Sequence, residues 1–406
     1  MTRLDYFPSP MHELLLRAGL LKDDRALEAW RAWTTHVHLP DDPVDGGALR
    51  LLPLVYHNLT SLGFRDAVLP LLKGIHRRTW YENQLRLHSL AGLLDRFHEA
   101  GIPTLVLKGA ALALHYYADV GLRPMDDADV LVPTERALEA VELLRRLGWR
   151  ERRYRESTHV NPAIIAVRHS WEFSNEAGDR VDLHWHALFT SCFPGADEPF
   201  WRNAEPLTIG GVPSLTLSAT DALIHTCAHG GHWNPLPPVR WVSDAIHILR
   251  SEAHHIDWQR LVSLVQWLGV TLHVRDSLGY LIERFDAPIP AEALAQLSRM
   301  PVSAEEHRAY ACLSSAPTGL LPSVGRVWHS YAHYRALWVR RTASRPPVGL
   351  LAYARASTGQ PTTRHLFQRV LQLIRRDVPV WLSGAGKSRP KQATNPPKSF
   401  VDHRPH

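Results

Sequence analysis

Cysteine is scarce in this chain: three in 406 residues, Cys192, Cys227 and Cys312, far apart in sequence. So few isolated thiols exclude the disulfide framework of a small secreted domain and the paired spacing of a cysteine zinc site. They read instead as small buried apolar residues. Long apolar runs are missing too. No stretch approaches the roughly 20 residues needed to cross a bilayer. The opening residues MTRLDYFPSPMHELLLRAGLLKDD hold no uninterrupted signal-type segment. The expectation is therefore a cytoplasmic globular protein with no membrane partner. No internal repeat is visible. With 45% hydrophobic residues, the 406-residue chain can fill the cores of two or three domains.

A dense basic patch is also lacking. The net charge is +6 and the pI near 9.3, a balance that taken whole points to nucleic acid. Residues 383–406, however, carry five Lys or Arg against one Asp, which leaves about +2 for everything before them. That tail, SGAGKSRPKQATNPPKSFVDHRPH, is rich in Pro, Ser and Lys and reads as disordered. Its GAGKS imitates the end of a phosphate-binding loop, but the position of the required leading glycine is Trp381 and no strand-to-helix context surrounds it.

What is present is concentrated in Leu105–Val132, LVLKGAALALHYYADVGLRPMDDADVLV. Lys108-Gly109 follows one apolar strand, Leu105 to Leu107, and precedes a helix from Ala110 to Tyr117. Asp127-Ala-Asp129 opens a second strand that continues through Val130 to Val132. Residues two apart on a strand share a face roughly 7 Å apart, so Asp127 and Asp129 form a candidate site for one or two divalent cations. Asp182, in RVDLHWHAL, is placed to add a third carboxylate. Asp-x-Asp alone is common in turns, and Asp126 after Pro124 reads as a turn start. The order of elements raises the weight of the motif, because a buried strand seldom begins with three carboxyls in four residues without a compensating cation.

These residue types suit attack on a polyphosphate. Mg²⁺ prefers octahedral oxygen ligation, and a pair of such ions binds both the attacking and the leaving oxygen of an in-line displacement. Glycine after the first strand lets the backbone approach phosphate, and a following helix N-terminus presents free N–H groups to the anion. Lys108 adds a point charge for the β- or γ-phosphate. Arg123 offers a planar fork to phosphate, the ordinary alternative being an ion pair with Asp119 or Asp126.

Four regions follow. Residues 1–98 read as helical, with an amphipathic stripe through Leu85, Leu90, Leu93, Leu94 and Phe97 that ends near Gly101-Ile102-Pro103. Residues 99–205 alternate strands and helices. Among them are a helix from Thr134 to Leu147 and a hairpin of Ser170 to Ser174 with Arg180 to His186, turning around Asn175–Gly178. On its second strand Asp182, His184 and His186 share one face. Residues 206–382 turn helical again, and 383–406 form the tail. A histidine cluster offers a different metal reading. His225 and His229 lie four apart with His232 behind, in zinc-like spacing, but the Glu that a helical zinc hydrolase places inside the pair is missing. The ordinary reading is a helix from Asp221 to His229 packed on one from Trp241 to Leu249, with Arg240 and Asp244 lining a cleft or pairing with each other.

The run from Lys108-Gly109 through Arg123 to DDADVLV, then VDLHWHAL, then HTCAHGGHWNPLPPVRWVSDAIHIL, resembles the uncharacterised bacterial nucleotidyltransferase family of the DNA polymerase beta-like superfamily, from about Leu51 to Leu249. Some of its members sit among genes for ribosomally made peptide natural products. The resemblance implies an α+β fold: a polymerase beta-like core with a mixed sheet, flanked by N- and C-terminal helical regions. It also implies catalytic, metal-binding carboxylates at Asp127, Asp129 and Asp182, while the chemistry of Lys108, Gly109 and Arg123 sets them toward the nucleotide. The chain departs from the superfamily in having Lys108-Gly109 where Gly-Ser is usual, and Ala128 where a larger aliphatic residue is common.

The expected activity is transfer of a nucleoside monophosphate from a nucleoside triphosphate such as ATP. Mg²⁺, or Mn²⁺ in its place, would be the cofactor and pyrophosphate the leaving group. A peptide, protein or small-molecule acceptor is favoured over RNA because the charge lies in the tail. A non-catalytic nucleotide- or peptide-binding protein and an RNA-modifying nucleotidyltransferase are the alternatives.

Overall fold

In the computed structural model, which describes residues 6–152, 159–234, 238–316, 320–360 and 362–382, alternation of apolar residues along short strands sets the architecture. The strands are β1 (Leu105–Val106), β2 (Ala128–Leu131), β3 (Arg150–Glu151), β4 (Ser170–Ser174), β5 (Arg180–His184), β6 (Glu205–Ile209) and β7 (Val212–Thr216). They form one sheet in the order β3-β4-β5-β2-β1-β7-β6. The β2–β5 and β1–β7 pairs are parallel and the other four antiparallel, so the sheet is mixed and the fold α+β, as the resemblance implies. The basic tail lies outside the described residues.

Successive strand residues point to opposite faces, and each face feeds its own core. Leu105, Leu107 and Leu131 join a core made with the helices Pro10–Leu20, Leu52–Ser61, Ala219–Gly230, Arg240–Glu252 and Thr271–Phe285. Val106, Val130, Val132, Val181 and Leu183 join the other, against the 31-residue helix Leu69–Glu99 and the helix Ala137–Arg146. Asp129 and Asp182 therefore face the first core, under the helix Ala219–Gly230. Ser218 caps that helix by accepting a hydrogen bond from the Asp221 amide. Its close packing on the next helix depends on Gly230, where a Cβ would lie 2.3 Å from Trp241.

Most expected elements are present, with shifts. On the long helix Leu90, Leu93, Leu94 and Phe97 are buried, whereas Leu85 is exposed because the helix overhangs the sheet there. The helix after Pro133 begins as a 3-10 turn, Thr134–Arg136, and the Thr134 hydroxyl donates to the Trp185 carbonyl at 2.6 Å instead of capping. Residues after 205, expected to be helical, open with the β6–β7 hairpin. Its turn is Gly210-Gly211, both at positive φ (57° and 84°) and closing the Ile209–Val212 pair, the geometry that a two-residue hairpin demands. All three cysteines are free, Cys192 and Cys227 being buried. Among the described residues no helix is long and apolar enough to cross a membrane.

The helical side holds buried neutral histidines. His273 lies between the rings of His232 (4.6 Å) and Tyr310 (4.7 Å). Neither of its ring nitrogens has a partner among the described residues. Burial pushes His273 and His225 down to about 3. The unfolded chain, with histidine near 6.5, then binds more protons through the window from about 6.5 down to 3. Their stabilisation is complete above that window and is lost as pH falls through it, at about 1.4 kcal/mol per pH unit for each histidine. The urea-unfolding free energy should drop between pH 7 and 5, and His273→Phe should remove about one histidine's share of that slope. An unchanged slope in the variant would contradict a neutral, unpartnered His273.

Candidate active site

Parallel pairing of β2 with β5 sets Asp129 directly opposite Asp182 and Leu131 opposite His184. Neighbouring strands lie about 4.8 Å apart, so the two carboxylates are held side by side on one face. His184, two residues beyond Asp182, shares that face, and its Nε2 lies 3.2 Å from Asp182 Oδ2 and 3.3 Å from Asp129 Oδ1. The Ser170 hydroxyl donates to Asp182 Oδ2 at 3.1 Å across the β4–β5 pair. Lys108, at the end of β1, places Nζ 2.9 Å from Asp129 Oδ1 and 3.1 Å from His229 Nε2. Asp127 sits in the bend just before β2, on the wall of the same cleft.

Charge explains how this crowding is tolerated. Burial, then the neighbouring Asp129 charge, pushes the Asp127 carboxyl up. Asp129 goes the other way: against burial, the Lys108 ammonium and His184 hold it below the usual carboxylate range. His184 does the same for Asp182. His184 itself rises to about 9, because the Asp182 charge and the hydrogen bonds to both carboxylates outweigh burial. Burial would lower Lys108, but Asp129, Asp127 and Asp182 together raise it. The Lys108 ammonium in turn keeps His229 neutral, able to accept the hydrogen bond from Nζ.

The cleft above these groups encloses about 320 Å³ and is lined by further cations. Arg50, from the N-terminal helices, pairs with Asp126. Arg240 donates to the Pro124 carbonyl, and its Nη2 lies 3.9 Å from Asp126 Oδ2. The guanidinium of Arg50 is lowered to about 9 by burial and by Arg240 beside it, the mark of a cation cluster short of anions. Arg50 has no sequence signal of its own: it lies 58 positions before Lys108, at the C-terminus of a four-residue helix, and only the fold brings it in. Gly109 breaks the helix between Lys108 and Ala110, and a Cβ there would lie 3.6 Å from Asp129 Oδ2.

Arg123 pairs with neither Asp119 nor Asp126. Asp119 holds His76 at 2.8 Å, and Asp126 serves Arg50 and Arg240. The fork of Arg123 is taken by Asp244, through Nε and Nη2 at 2.8 Å each, and Nη1 donates to the Gly109 carbonyl at 3.2 Å. Asp244 also accepts from the Tyr117 hydroxyl at 2.7 Å. Arg123 is 4% exposed, so it sits beneath the cleft and fixes the backbone of Gly109. Of the two readings of Arg240 and Asp244, lining the cleft or pairing with each other, the first holds: both line it, each with these other partners. Asn83, on the long helix, braces the same loop. Its Nδ2 donates to the Val120 and Arg123 carbonyls at 2.6 and 2.9 Å, and its Oδ1 accepts from the Met125 amide at 3.3 Å.

The histidines divide. His186 leaves the carboxylate face and bonds Asp197 at 2.6 Å, because β5 ends at His184. His225 bonds the Ala187 carbonyl and stacks on His229 at 5.7 Å. His232 packs on Phe189 and His273, so the zinc-like trio does not converge. The one cluster of metal-ligating atoms among the described residues is His169, Asp182 and His184, all within 4.8 Å of one another. His184 Nε2 in that cluster is shared between Asp182 and Asp129. The oxygens of Asp127, Asp129 and Asp182 fit a hard cation such as Mg²⁺.

The family described as uncharacterised nucleotidyltransferase matches residues 48–286. No curated protein matches. Among solved structures, an antigenic nucleotidyltransferase-like protein from Paracoccidioides brasiliensis aligns with 54% of this chain and 94% of its own, at 12% identity and a TM-score of 0.35.

Breaking the buried Arg123–Asp244 pair leaves an uncompensated charge. Asp244→Leu alone should destabilise by about 3–5 kcal/mol, and adding Arg123→Met should recover most of that. Urea unfolding of the two variants measures it. A double variant no more stable than the single one would contradict a desolvated pair.

Proposed function

The chain belongs to the uncharacterised nucleotidyltransferase family, and on that premise we propose that it moves a nucleoside monophosphate from a nucleoside triphosphate to a hydroxyl on a peptide, protein or small molecule, with release of pyrophosphate. The observation that carries this reading is the facing of Asp129 and Asp182 across β2 and β5, with Lys108 against Asp129 and Asp127 at the strand's entry.

Asp127 and Asp129 would hold a pair of Mg²⁺ ions, with Mn²⁺ as a substitute, and Asp182 would hold the one nearer the acceptor. Bound there, the ions supply positive charge for the attacking and leaving oxygens. Lys108 exchanges Asp129 for the phosphates, while Arg50 and Arg240 meet them from the opposite wall. Gly109 leaves room for the triphosphate, and Arg123 keeps that backbone in place from below. The acceptor oxygen forms a new bond to the α-phosphorus as the α–β bridging P–O bond breaks. Pyrophosphate leaves against Lys108, Arg50 and Arg240, and the acceptor proton passes to solvent. Asp182, kept ionised by His184, positions the acceptor hydroxyl or helps to deprotonate it. A charge of only about +2 outside the tail favours a peptide, protein or small acceptor over RNA.

Thermal unfolding with ATP, GTP, CTP or UTP and Mg²⁺ tests this reading. Ligand at a hundredfold its Kd adds about 2.7 kcal/mol, a rise of roughly 2–4 °C for a chain of this size. At least one nucleotide should give that rise, and EDTA or Asp127→Ala/Asp129→Ala should abolish it. Asp127→Ala relieves repulsion, whereas Asp129→Ala takes a carboxylate from Lys108 and His184, so the double variant should unfold at a lower temperature than the wild type, still in one cooperative transition, and its nucleotide response is read against its own unliganded transition. No rise with any nucleotide, or a rise that survives the double variant, would refute the assignment.

A further inference from the structure

A second chamber lies beside His169. It encloses about 260 Å³ between His169, at the entry to β4, and the helix Leu320–Thr342. It shares no lining residue with the cleft that holds Lys108. His169 joins it to the centre, its ring nitrogen being clustered with the ligand atoms of Asp182 and His184. Phe189 lines the chamber next to His169, its ring 6.0 Å from His169 and 3.6 Å from His232.

The lining is built for a polar guest. Thr190 Oγ1, His333 Nδ1 and the Tyr334 hydroxyl are buried without a hydrogen-bond partner among the described residues, and His333 and Tyr334 are 3% and 4% exposed. Native proteins seldom leave such atoms unmet unless something else satisfies them. Arg326, at the rim, donates to the Ser315 carbonyl and lies 5.8 Å over the Trp233 ring. No carboxylate among the described residues pairs with it, so its charge is open to an anion. The volume suits a molecule of about amino-acid size.

We infer that this chamber is the acceptor subsite and takes a small hydroxyl-bearing carboxylate, its hydroxyl toward His169 and Asp182 and its carboxylate at Arg326. The acceptor role rests on the nucleotidyl-transfer reading above, in which that hydroxyl oxygen forms the bond to the α-phosphorus. Binding itself does not depend on it.

Saturation-transfer NMR tests the assignment with L-serine, L-tyrosine, L-lactate and 4-hydroxybenzoate, each beside its amide. At least one carboxylate should bind the wild-type chain while its amide does not. Arg326→Gln should weaken that binding about tenfold or more. Ser330→Trp, which fills the chamber, should abolish it, and Thr358→Trp serves if Ser330→Trp lowers the unfolding temperature. No binding by any of the four, equal binding of the amides, or binding unchanged in Arg326→Gln or in the filled variant overturns the assignment. Mg²⁺–triphosphate binding is measured on the same proteins and should persist in all the variants. If it is absent from the wild type while a carboxylate still binds in the chamber, the transfer reading fails and the carboxylate site stands.

Discussion

The pairing of β2 against β5 is the constraint on which the site depends. Side chains alternate across a sheet with a period of two, so a slip of one residue would carry Asp182 and His184 into the core filled by Val181 and Leu183 and turn those apolar residues toward the cleft. The register is therefore fixed by burial on both faces. Val130, Val181 and Leu183 lock one face against the long helix, and the carboxylates are what remains on the other. The carboxylate arrangement is thus a by-product of strong hydrophobic patterning, which lets a fold place three like charges together.

Placing them is costly unless each finds a counter-charge. The chain answers with a layered set of cations. Lys108 and His184 neutralise Asp129 and Asp182 directly. Arg50 and Arg240 crowd on Asp126, and Arg123 is spent on Asp244 below. Each layer has a different availability. Arg123 is committed on all sides and acts through the Gly109 backbone. Lys108 swaps one oxygen anion for another at little cost. Arg50 and Arg240 share one carboxylate and have capacity left for a highly charged ligand. In the proposed function a polyphosphate would take over Lys108, Arg50 and Arg240 from the carboxylates they now meet.

Much of this was legible in the sequence because it is local. Strand periodicity around Leu105–Leu107 and Val130–Val132, the turn at Asn175–Gly178 and the alternation of Asp182 with Val181 and Leu183 are short-range patterns, and the structure keeps them. The β6–β7 hairpin carried a local signal as well, Gly210-Gly211 between apolar residues, which the helical reading of that region passed over. What sequence could not supply is pairing between distant segments. Nothing near Arg50 marks it as a neighbour of Asp126, and nothing near Arg123 selects Asp244 over the closer Asp119. His186 followed the strand pattern on paper, but β5 ends at His184, and the next residues turn toward Asp197. The chamber beside His169 joins residues 167–190 to residues 313–358 and has no linear signature.

The central claim is that Asp129 and Asp182, opposite one another in register, form one cation site. Titration of Mn²⁺ followed by electron paramagnetic resonance, on the wild-type chain and on Asp129→Asn and Asp182→Asn, tests it most directly. The account predicts saturable binding to the wild type that Asp129→Asn abolishes and from which Asp182→Asn removes the one ion the two strands share. Binding that persists unchanged in Asp182→Asn would contradict it, because the two strands would then not be sharing an ion.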